Sequence, residues 1–600
     1  MIWRPKWFMF LFSLQTTPNR TRLLTHARTL LLWAVSIVVW PGNLHTEARV
    51  QPAMGPSAAA STGPAHFGVA TQHPQATEAA VSILAKGGTA ADAAIAAAFT
   101  LGVVAPDCSG VGGGGFALIS NQGSRDVKVL DFRETAPSRL EPKSLERQIE
   151  TPDPHRNGML VGVPGEVRGL FELHRRYGRL PIAVDMEPAI HAAQTGYDVG
   201  AALARNAYAY RRQIDASPLL RTEFDPPAIG PVFAGFHVAP ENALANTLRT
   251  IARDGADAFY VGSIAADIVA SVAAAGGWLS MDDMASYVVV DRQPLRVDWE
   301  GYEILTMPPP SAGGLLLVET LKSMSKSHLR SLGFGSTQYV HELAEVFRNA
   351  LDDRMRQIGD PSFVIADLAA LTNDDRMARR RSGIEPFATH ALPSAPVDEH
   401  GTSHIVVVDG AGSVVSLTTT VGDAFGARVA GEHTGIVLND ELVDFSSARQ
   451  FRPFRAAAQA NRIRNLSPNS PRPEARPVSS MTPTIVFRDG APVLAIGGAG
   501  GLRIATGVTQ ALLARLAFDQ SPSQAIAAPR FHTPYEGATT EIEFGTDKQL
   551  ASGLRDRGEH VEWFANFSAV QMTAIEMRGG VLERVEAAAD PRFGGRAEGR

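Results

Sequence analysis

One cysteine, Cys108, stands in a chain of 600 residues, which excludes an intrachain disulfide and every cysteine-based metal cluster. No papain-like or caspase-like pattern surrounds it, so a small buried residue is expected there rather than a nucleophile. Histidine supplies no metal motif either. His341-Glu342 opens like a zincin helix, but Glu345 occupies the place of the second ligand. No metal or other cofactor is expected. Basic blocks are missing too: the formal net charge is -6, and no run of Lys and Arg is dense enough to neutralise a phosphate backbone, which argues against nucleic acid as a partner. There is no Gly-x-Ser-x-Gly elbow at a strand-to-helix turn and no convincing Ser/His/Asp set. The run Gly112 to Gly115 lacks the Lys-Ser/Thr of a P-loop and leads into a strand, so close backbone packing is its expected role.

What is present is a soluble globular composition, 44% hydrophobic and 20% charged with 55 Gly and 39 Pro. The length suits one large enzyme or two medium domains. Near the start, Arg4, Lys6, Arg20, Arg22 and Arg28 precede the apolar run Leu30 to Trp40, and His45-Thr46-Glu47-Ala48 follows it. That order of basic region, hydrophobic region and small-residue site predicts an export signal over residues 1–48, with a signal anchor or a start at Met54 as alternatives. The apolar run is about half of the roughly 20 residues needed to span a bilayer, so no stable membrane anchor is expected. Residues 49–66, rich in Ala, Pro, Ser and Gly, read as a flexible linker.

From Ala76 an apolar-periodic stretch closing on Gly87-Gly88 predicts a helix, and Ala91 to Val104 a second, more buried one. In the last third, His404–Val408 and Val414–Thr420 are β-rich runs joined through Asp409-Gly410-Ala411-Gly412, a hairpin signal. Both faces of the first run are apolar, which marks a strand covered on two sides. A second hairpin is expected at Thr484–Phe487 and Val493–Ile496 through Asp489-Gly490, with a helix from Leu502 to about Phe518 behind Gly497-Gly498-Ala499-Gly500-Gly501. Strands packed between helix layers fit these elements best: an α+β, four-layer αββα sandwich. Asp352-Asp353 followed by Arg354 admits a catalytic carboxylate pair, but ion pairing at a helix end is the commoner use of such residues.

Gly401-Thr402-Ser403-His404 lies where a polar stretch meets the buried hairpin. One reading of it is catalytic. Thr402 attacks the carbonyl of Gly401, an N-to-O acyl shift makes an ester, and water cuts the chain; the new α-amine, with an ordinary pKa near 8, then serves as base for the Thr402 hydroxyl. On the same logic Thr420, at the far end of the paired strand, reaches back to that hydroxyl, although a Thr in a strand is also simply a good β-former. Gly500-Gly501 ahead of a helix would present N–H groups to an oxyanion, or make a plain tight turn.

Seven segments together resemble one family. They are Pro106 through Phe116, Asp131-Phe132-Arg133-Glu134-Thr135-Ala136-Pro137, Val163-Pro164-Gly165, Pro308 through Gly314, Gly401-Thr402-Ser403-His404, Leu438 through Phe445, and Arg476 through Thr484. All are similar to γ-glutamyltranspeptidase motifs, in that family's order, from about Gly68 to the C-terminal region. The resemblance implies the N-terminal nucleophile hydrolase fold and a precursor that cuts itself into a large subunit, 67–401, and a small catalytic subunit, 402–600, held as a heterodimer. It implies transfer or hydrolysis of a γ-glutamyl group from a small substrate such as glutathione. Thr402 matches the nucleophile, Thr420 its supporting Thr, and Gly500 and Gly501 the oxyanion glycines. Arg133 matches the Arg that pairs with the α-carboxylate, for which Lys would be a poor substitute. Ser479 and Ser480 match the Ser pair on that carboxylate, and Glu441 and Asp444 the acids that receive the α-ammonium. Two departures stand out. Gly422, followed by Asp423, occupies the place of an Asn that helps bind the amine, and the lid-like segment Ser446 to Arg476 has Phe451 and Phe454 but no Tyr. An acylase for another carboxylate-bearing acyl group, glutaryl or cephalosporin type, is therefore the alternative reading, and a non-catalytic homologue the third.

Overall fold

The hairpin predicted through Asp409-Gly410-Ala411-Gly412 forms: Ser403–Val408 pairs antiparallel with Val414–Thr420, Ser403 opposite Thr419 and Val408 opposite Val414. In this computed structural model the described residues are 60–61, 67–395, 401–454, 466–565 and 568–599. All belong to one unit, Met54–Arg600. The expected export signal lies outside the described residues, as does the expected linker apart from Ala60–Ser61, which pairs as a short edge strand with Val581–Ala589.

Period-2 alternation sends the side chains of the hairpin to two different cores. Ile405, Val407, Val415 and Leu417 join Ala117, Ile119 and Phe132 under a helical layer that includes Ala90–Val104, Glu166–Tyr177 and Ile182–Thr195. Val406, Val408 and Val414 point the other way, with Phe116 and Leu118, into a second core shared with Ile485, Leu494, Ile496 and Met572. Both faces of the strand are thus covered, as its doubly apolar sequence requires.

Two seven-stranded sheets lie face to face across that second core. The first runs, edge to edge, Arg596–Gly599, Gly68–Thr71, Ser403–Val408, Val414–Thr420, Gly114–Ser120, Lys128–Phe132 and Val290–Arg292. The second runs Ala60–Ser61, Val581–Ala589, Ala569–Arg578, Ala491–Ala499, Thr484–Arg488, Tyr302–Thr306 and Leu295–Trp299. Helices Gly313–Ser323, Thr337–Gln357 and Arg503–Leu516 contribute to the core on its outer face. The result is the αββα sandwich expected from the sequence.

Local chemistry agrees with the long-range order. The second hairpin turns at Asp489 and Gly490, φ +51° and +84°, the conformation an Asp-Gly turn favours. Thr89 and Asp92 form a reciprocal capping box at the start of Ala90–Val104. The predicted first helix is Pro74–Ala85, and the one expected from Leu502 is Arg503–Leu516.

Candidate active site

Strand register places Thr402. Because Ser403 lies opposite Thr419, the residue before it comes level with Thr420, and the Thr402 hydroxyl donates to the Thr420 hydroxyl at 3.3 Å. Thr420 also accepts the Gly422 N–H at 2.9 Å, and its hydroxyl favours the ionised form of Glu441. The adjacent strand can come this close only because it is glycine-rich: a Cβ on Gly113 would lie 1.9 Å from the Thr420 carbonyl oxygen, and one on Gly115 would lie 2.1 Å from that of Thr418. The packing role expected of this glycine run is the one it plays.

Next to Thr402 the chain builds a charged pocket from segments far apart in sequence. Arg133, at the end of Lys128–Phe132, is 1% exposed. Its guanidinium pairs with Glu441 and with Asp444, the latter at 2.5 Å, and donates to the carbonyl oxygens of Pro477 at 3.2 Å and Val478 at 3.3 Å. Burial opposes its charge, but Glu441, Asp444 and Glu134 outweigh that and raise it. The acids pay the reverse cost: burial pushes Glu441 up to about 8 against the pull of Arg133, and Glu134 likewise to about 8. Asn439 holds the loop in place, donating to the carbonyls of Gly112 at 2.8 Å and Gly162 at 3.0 Å while accepting the Gly162 N–H.

The Pro308 to Gly314 segment, which shows no chemistry of its own, is the cradle of the Ser pair. Ser479 N–H donates to the Pro310 carbonyl at 3.0 Å, Ala312 N–H to the Ser479 carbonyl at 2.9 Å, and the Ser311 hydroxyl to the Met481 carbonyl at 2.6 Å. A Cβ on Gly313 would fall 2.5 Å from the Ser480 carbonyl oxygen.

Thr402, Gly401, Thr420, Arg133, Glu441, Asp444, Ser479, Ser480 and Gly501 all line one cavity. Gly500 is not among its walls; it sits at φ +122°, where a Cβ would lie 2.9 Å from Ser568 Cα. The residues singled out from the sequence do not include Val443, Met481 and Ile504, which supply apolar wall; Asp423, next to Gly422, also lines the cavity. Val443 and Met481 fall inside two of the seven family-like segments, while no local pattern marks Ile504.

Gly422 also lines this cavity, and its surroundings are specific. At φ +95°, a Cβ there would lie 2.0 Å from Asp440 Oδ1. That oxygen accepts the Asp423 N–H at 2.8 Å, and Asp440 Oδ2 accepts from Arg428 at 3.2 Å. Asp423 in turn is bound by Arg428, by the Tyr210 hydroxyl at 2.9 Å and by the Ala424 N–H at 2.8 Å. Burial pushes Asp440 up to about 6.

Other candidates have structural duties. Asp353 is clamped by Arg376 and Arg380 at 2.7 Å each, and Asp352 by Arg356 at 2.7 Å. His341 is buried against Glu559 at 2.8 Å. Phe451 and Phe454 do not line the cavity; both are buried, and Phe454 meets Tyr535 edge-on at 6.0 Å. His404, two residues from Thr402, is pushed down to about 3 by burial, with its ring nitrogens engaged by Thr418 at 2.8 Å and Ser416 at 3.3 Å. It is a neutral core histidine, not a base for Thr402.

Comparison with known proteins gives the same picture. The Gamma-glutamyltranspeptidase family profile matches residues 76–599. The chain is 31% identical to the glutathione hydrolase proenzyme of Escherichia coli over 87% of its own length and 90% of that protein's. It is 35% identical to that of Pseudomonas aeruginosa over 87% and 93%. Among solved structures, cephalosporin acylase from Bacillus halodurans superposes with a TM-score of 0.78 at 25% identity, covering 92% of this chain and 98% of that one. By profile, by relatives and by fold, this chain belongs to the γ-glutamyltranspeptidase family.

Proposed function

We propose that this chain is an autoprocessed γ-glutamyl transferase or hydrolase whose nucleophile is Thr402. The observation that carries the reading is that the Thr402 hydroxyl, hydrogen-bonded to Thr420 at 3.3 Å, opens into the same cavity as Arg133, Glu441, Asp444, Ser479 and Ser480. In the precursor, Thr402 Oγ1 attacks the Gly401 carbonyl, the acyl group passes from nitrogen to oxygen, and water hydrolyses the ester. The freed α-amine then takes the Thr402 hydroxyl proton as the oxygen attacks the γ-carbonyl, and gives it to the departing amine. Backbone N–H groups at Gly500-Gly501 receive the oxyanion. Water or an amine acceptor releases the acyl group.

Substrate orientation follows from charge. Arg133 and the two serines hold an α-carboxylate; Glu441 and Asp444, now bound to Arg133, receive an α-ammonium. A zwitterionic γ-glutamyl group supplies both partners at once, so it can enter between the guanidinium and the acids without leaving any of them unpaired. Glutathione, named as substrate in the relatives, meets this demand. Cutting before Thr402 would leave large and small subunits interleaved, since each sheet contains strands from both sides of Gly401. The basic and then apolar first fifty residues support export.

Substitution Thr402→Ala tests the reading: the variant is expected to remain one chain, while the parent yields a small fragment beginning Thr-Ser-His-Ile. Cutting of the variant would refute it. A second reading, an acylase for glutaryl-type groups, is favoured by one observation: Gly422 has no side chain with which to bind an amine. Turnover of γ-glutamyl against glutaryl anilides decides between them, and a preference for the glutaryl compound would select the second.

A further inference from the structure

Behind Thr402 runs a polar chain that the chemistry above does not use. Asp107 and Cys108 lie on the loop after Ala90–Val104, 1% and 2% exposed. The Asp107 carbonyl accepts the Phe425 N–H at 3.2 Å, and a Cβ on Gly401 would lie 3.2 Å from the same oxygen, so the loop passes directly against the Gly401–Thr402 junction. The Cys108 thiol donates to Asp107 Oδ2 at 3.4 Å, and that oxygen also accepts from Asn206 Nδ2 at 2.7 Å. The backbone N–H of Thr402 acts on the same sulfur, favouring its thiolate form. Asp107 Oδ1 is buried with no hydrogen-bond partner, an arrangement that calls for a reason.

We propose that Cys108 and Asp107 are positioning residues for the N-terminal amine of Thr402, the thiol accepting an amine N–H while donating its own proton to the Asp107 carboxylate. This rests on Thr402 being the processed N-terminus. Thr402 is 4% exposed, and burial alone disfavours an ammonium. A carboxylate one thiol away opposes that and keeps the amine basic enough to take the hydroxyl proton and hold it for the leaving group. The thiol also fixes the direction of the nitrogen lone pair, because one N–H is committed to sulfur. Other charges face the same place. Arg205 acts on both Asp107 and Cys108 through its charge, Asp107 acts on Tyr197 in the same way, and Arg133, Asp423, Glu441 and Asp444 line the cavity with Thr402. None of these changes in the test.

The test compares Cys108→Ser, Cys108→Ala and Asp107→Asn with the parent for melting temperature, fraction cut, and kcat/KM against pH on a γ-glutamyl anilide, normalised to cut enzyme. Asp107→Asn removes the carboxylate and Cys108→Ala removes the thiol that links it to the amine; either lowers the amine pKa, so both are expected to move the acid limb down by about 0.5 to 1 pH unit. Cys108→Ser, which still donates and accepts, is expected to keep the limb near the parent's. Failure of Cys108→Ala to cut while Cys108→Ser cuts, with equal melting temperatures, would also support a hold on this nitrogen. Superimposable acid limbs in all four proteins would overturn the proposal, as would Cys108→Ser behaving like Cys108→Ala. A parent chain that stays whole would instead sink the assignment of Thr402.

Discussion

Placing Asn at 422, where the family commonly has it, is expected to damage this protein rather than restore an amine contact. The new Cβ would arrive 2.0 Å from Asp440 Oδ1, a full ångström inside the closest tolerable approach, so the Asp440 carboxylate has to swing away. Its bond to Asp423 N–H, 2.8 Å, and its bond to Arg428, 3.2 Å, are strained or lost. Hydrogen bonds to a charged group contribute about 1.5–3 kcal/mol, and holding a non-glycine residue at positive φ costs roughly 1 kcal/mol, Asn being among the more tolerant. Together Gly422→Asn should cost on the order of 2 to 4 kcal/mol. The assay is the denaturant midpoint of the purified enzyme, with kcat/KM for γ-glutamyl and glutaryl anilides measured in parallel. The expected outcome is a lowered midpoint and no gain in γ-glutamyl preference. A variant as stable as the parent, with γ-glutamyl selectivity improved tenfold or more, would refute the claim that Asp440 occupies the space an amide would need.

Glu134 and Glu441 are both raised from the ordinary 4.5 to about 8, so the folded state binds their protons more tightly than the unfolded chain. The stability they contribute is complete below the unfolded pKa and is lost as pH rises through about 8. Ligand-free melting temperature should therefore fall between about pH 5 and pH 8.5, and Glu134→Gln, which cannot ionise, should flatten its share; an unchanged slope would count against a buried, protonated Glu134. Arg348, with no exposed surface, joins Glu345 at 2.8 Å to Glu559 at 2.6 Å, linking the two sides of the proposed cut. Arg348→Met should destabilise by about 3–5 kcal/mol by stranding those acids. Adding Glu559→Gln should recover part of the loss, and a double variant worse than the sum of the singles would argue against direct pairing.

How much of this was legible depended on whether the controlling interaction was local. Asp489-Gly490 sets its own turn, the first hairpin turns over Asp409 to Gly412 with Gly412 at φ +80°, and alternation along His404–Val408 reported a doubly covered strand, because turn chemistry and side-chain period act over a few residues. Thr420 could be paired with Thr402 because a hairpin fixes register over its short length. The charged pocket was legible only through family motifs. Arg133 meets Glu441 and Asp444 across some three hundred positions, a contact made by the packing of whole layers that leaves no periodic trace near either partner. The same holds for Asp423, which Tyr210 and Arg428 pin from different elements. Phe451 and Phe454 show the opposite failure. Their place in a lid-like segment suggested a role over the site, but aromatic rings gain more from burial, and they turn into the core.

On the proposed reading, the position of Thr402 has to reconcile two demands that compete in a self-cutting enzyme. Its backbone has to be accessible enough to break, and its side chain fixed well enough to react again. A loop would satisfy the first and fail the second, since a freed loop end gains conformational entropy and wanders. A residue inside a strand would satisfy the second only. Thr402 stands one residue before Ser403–Val408, a central strand flanked by Gly68–Thr71 and Val414–Thr420. Breaking the bond to Gly401 removes no ladder hydrogen bond from that strand, and register keeps the hydroxyl level with Thr420. Thr420 is itself anchored by Gly422 N–H and by the closely packed glycines of the next strand. If Thr402 is cut and reacts as proposed, the scaffold that folds the precursor would also hold the nucleophile afterwards, without a rearrangement of the sheet between the two reactions.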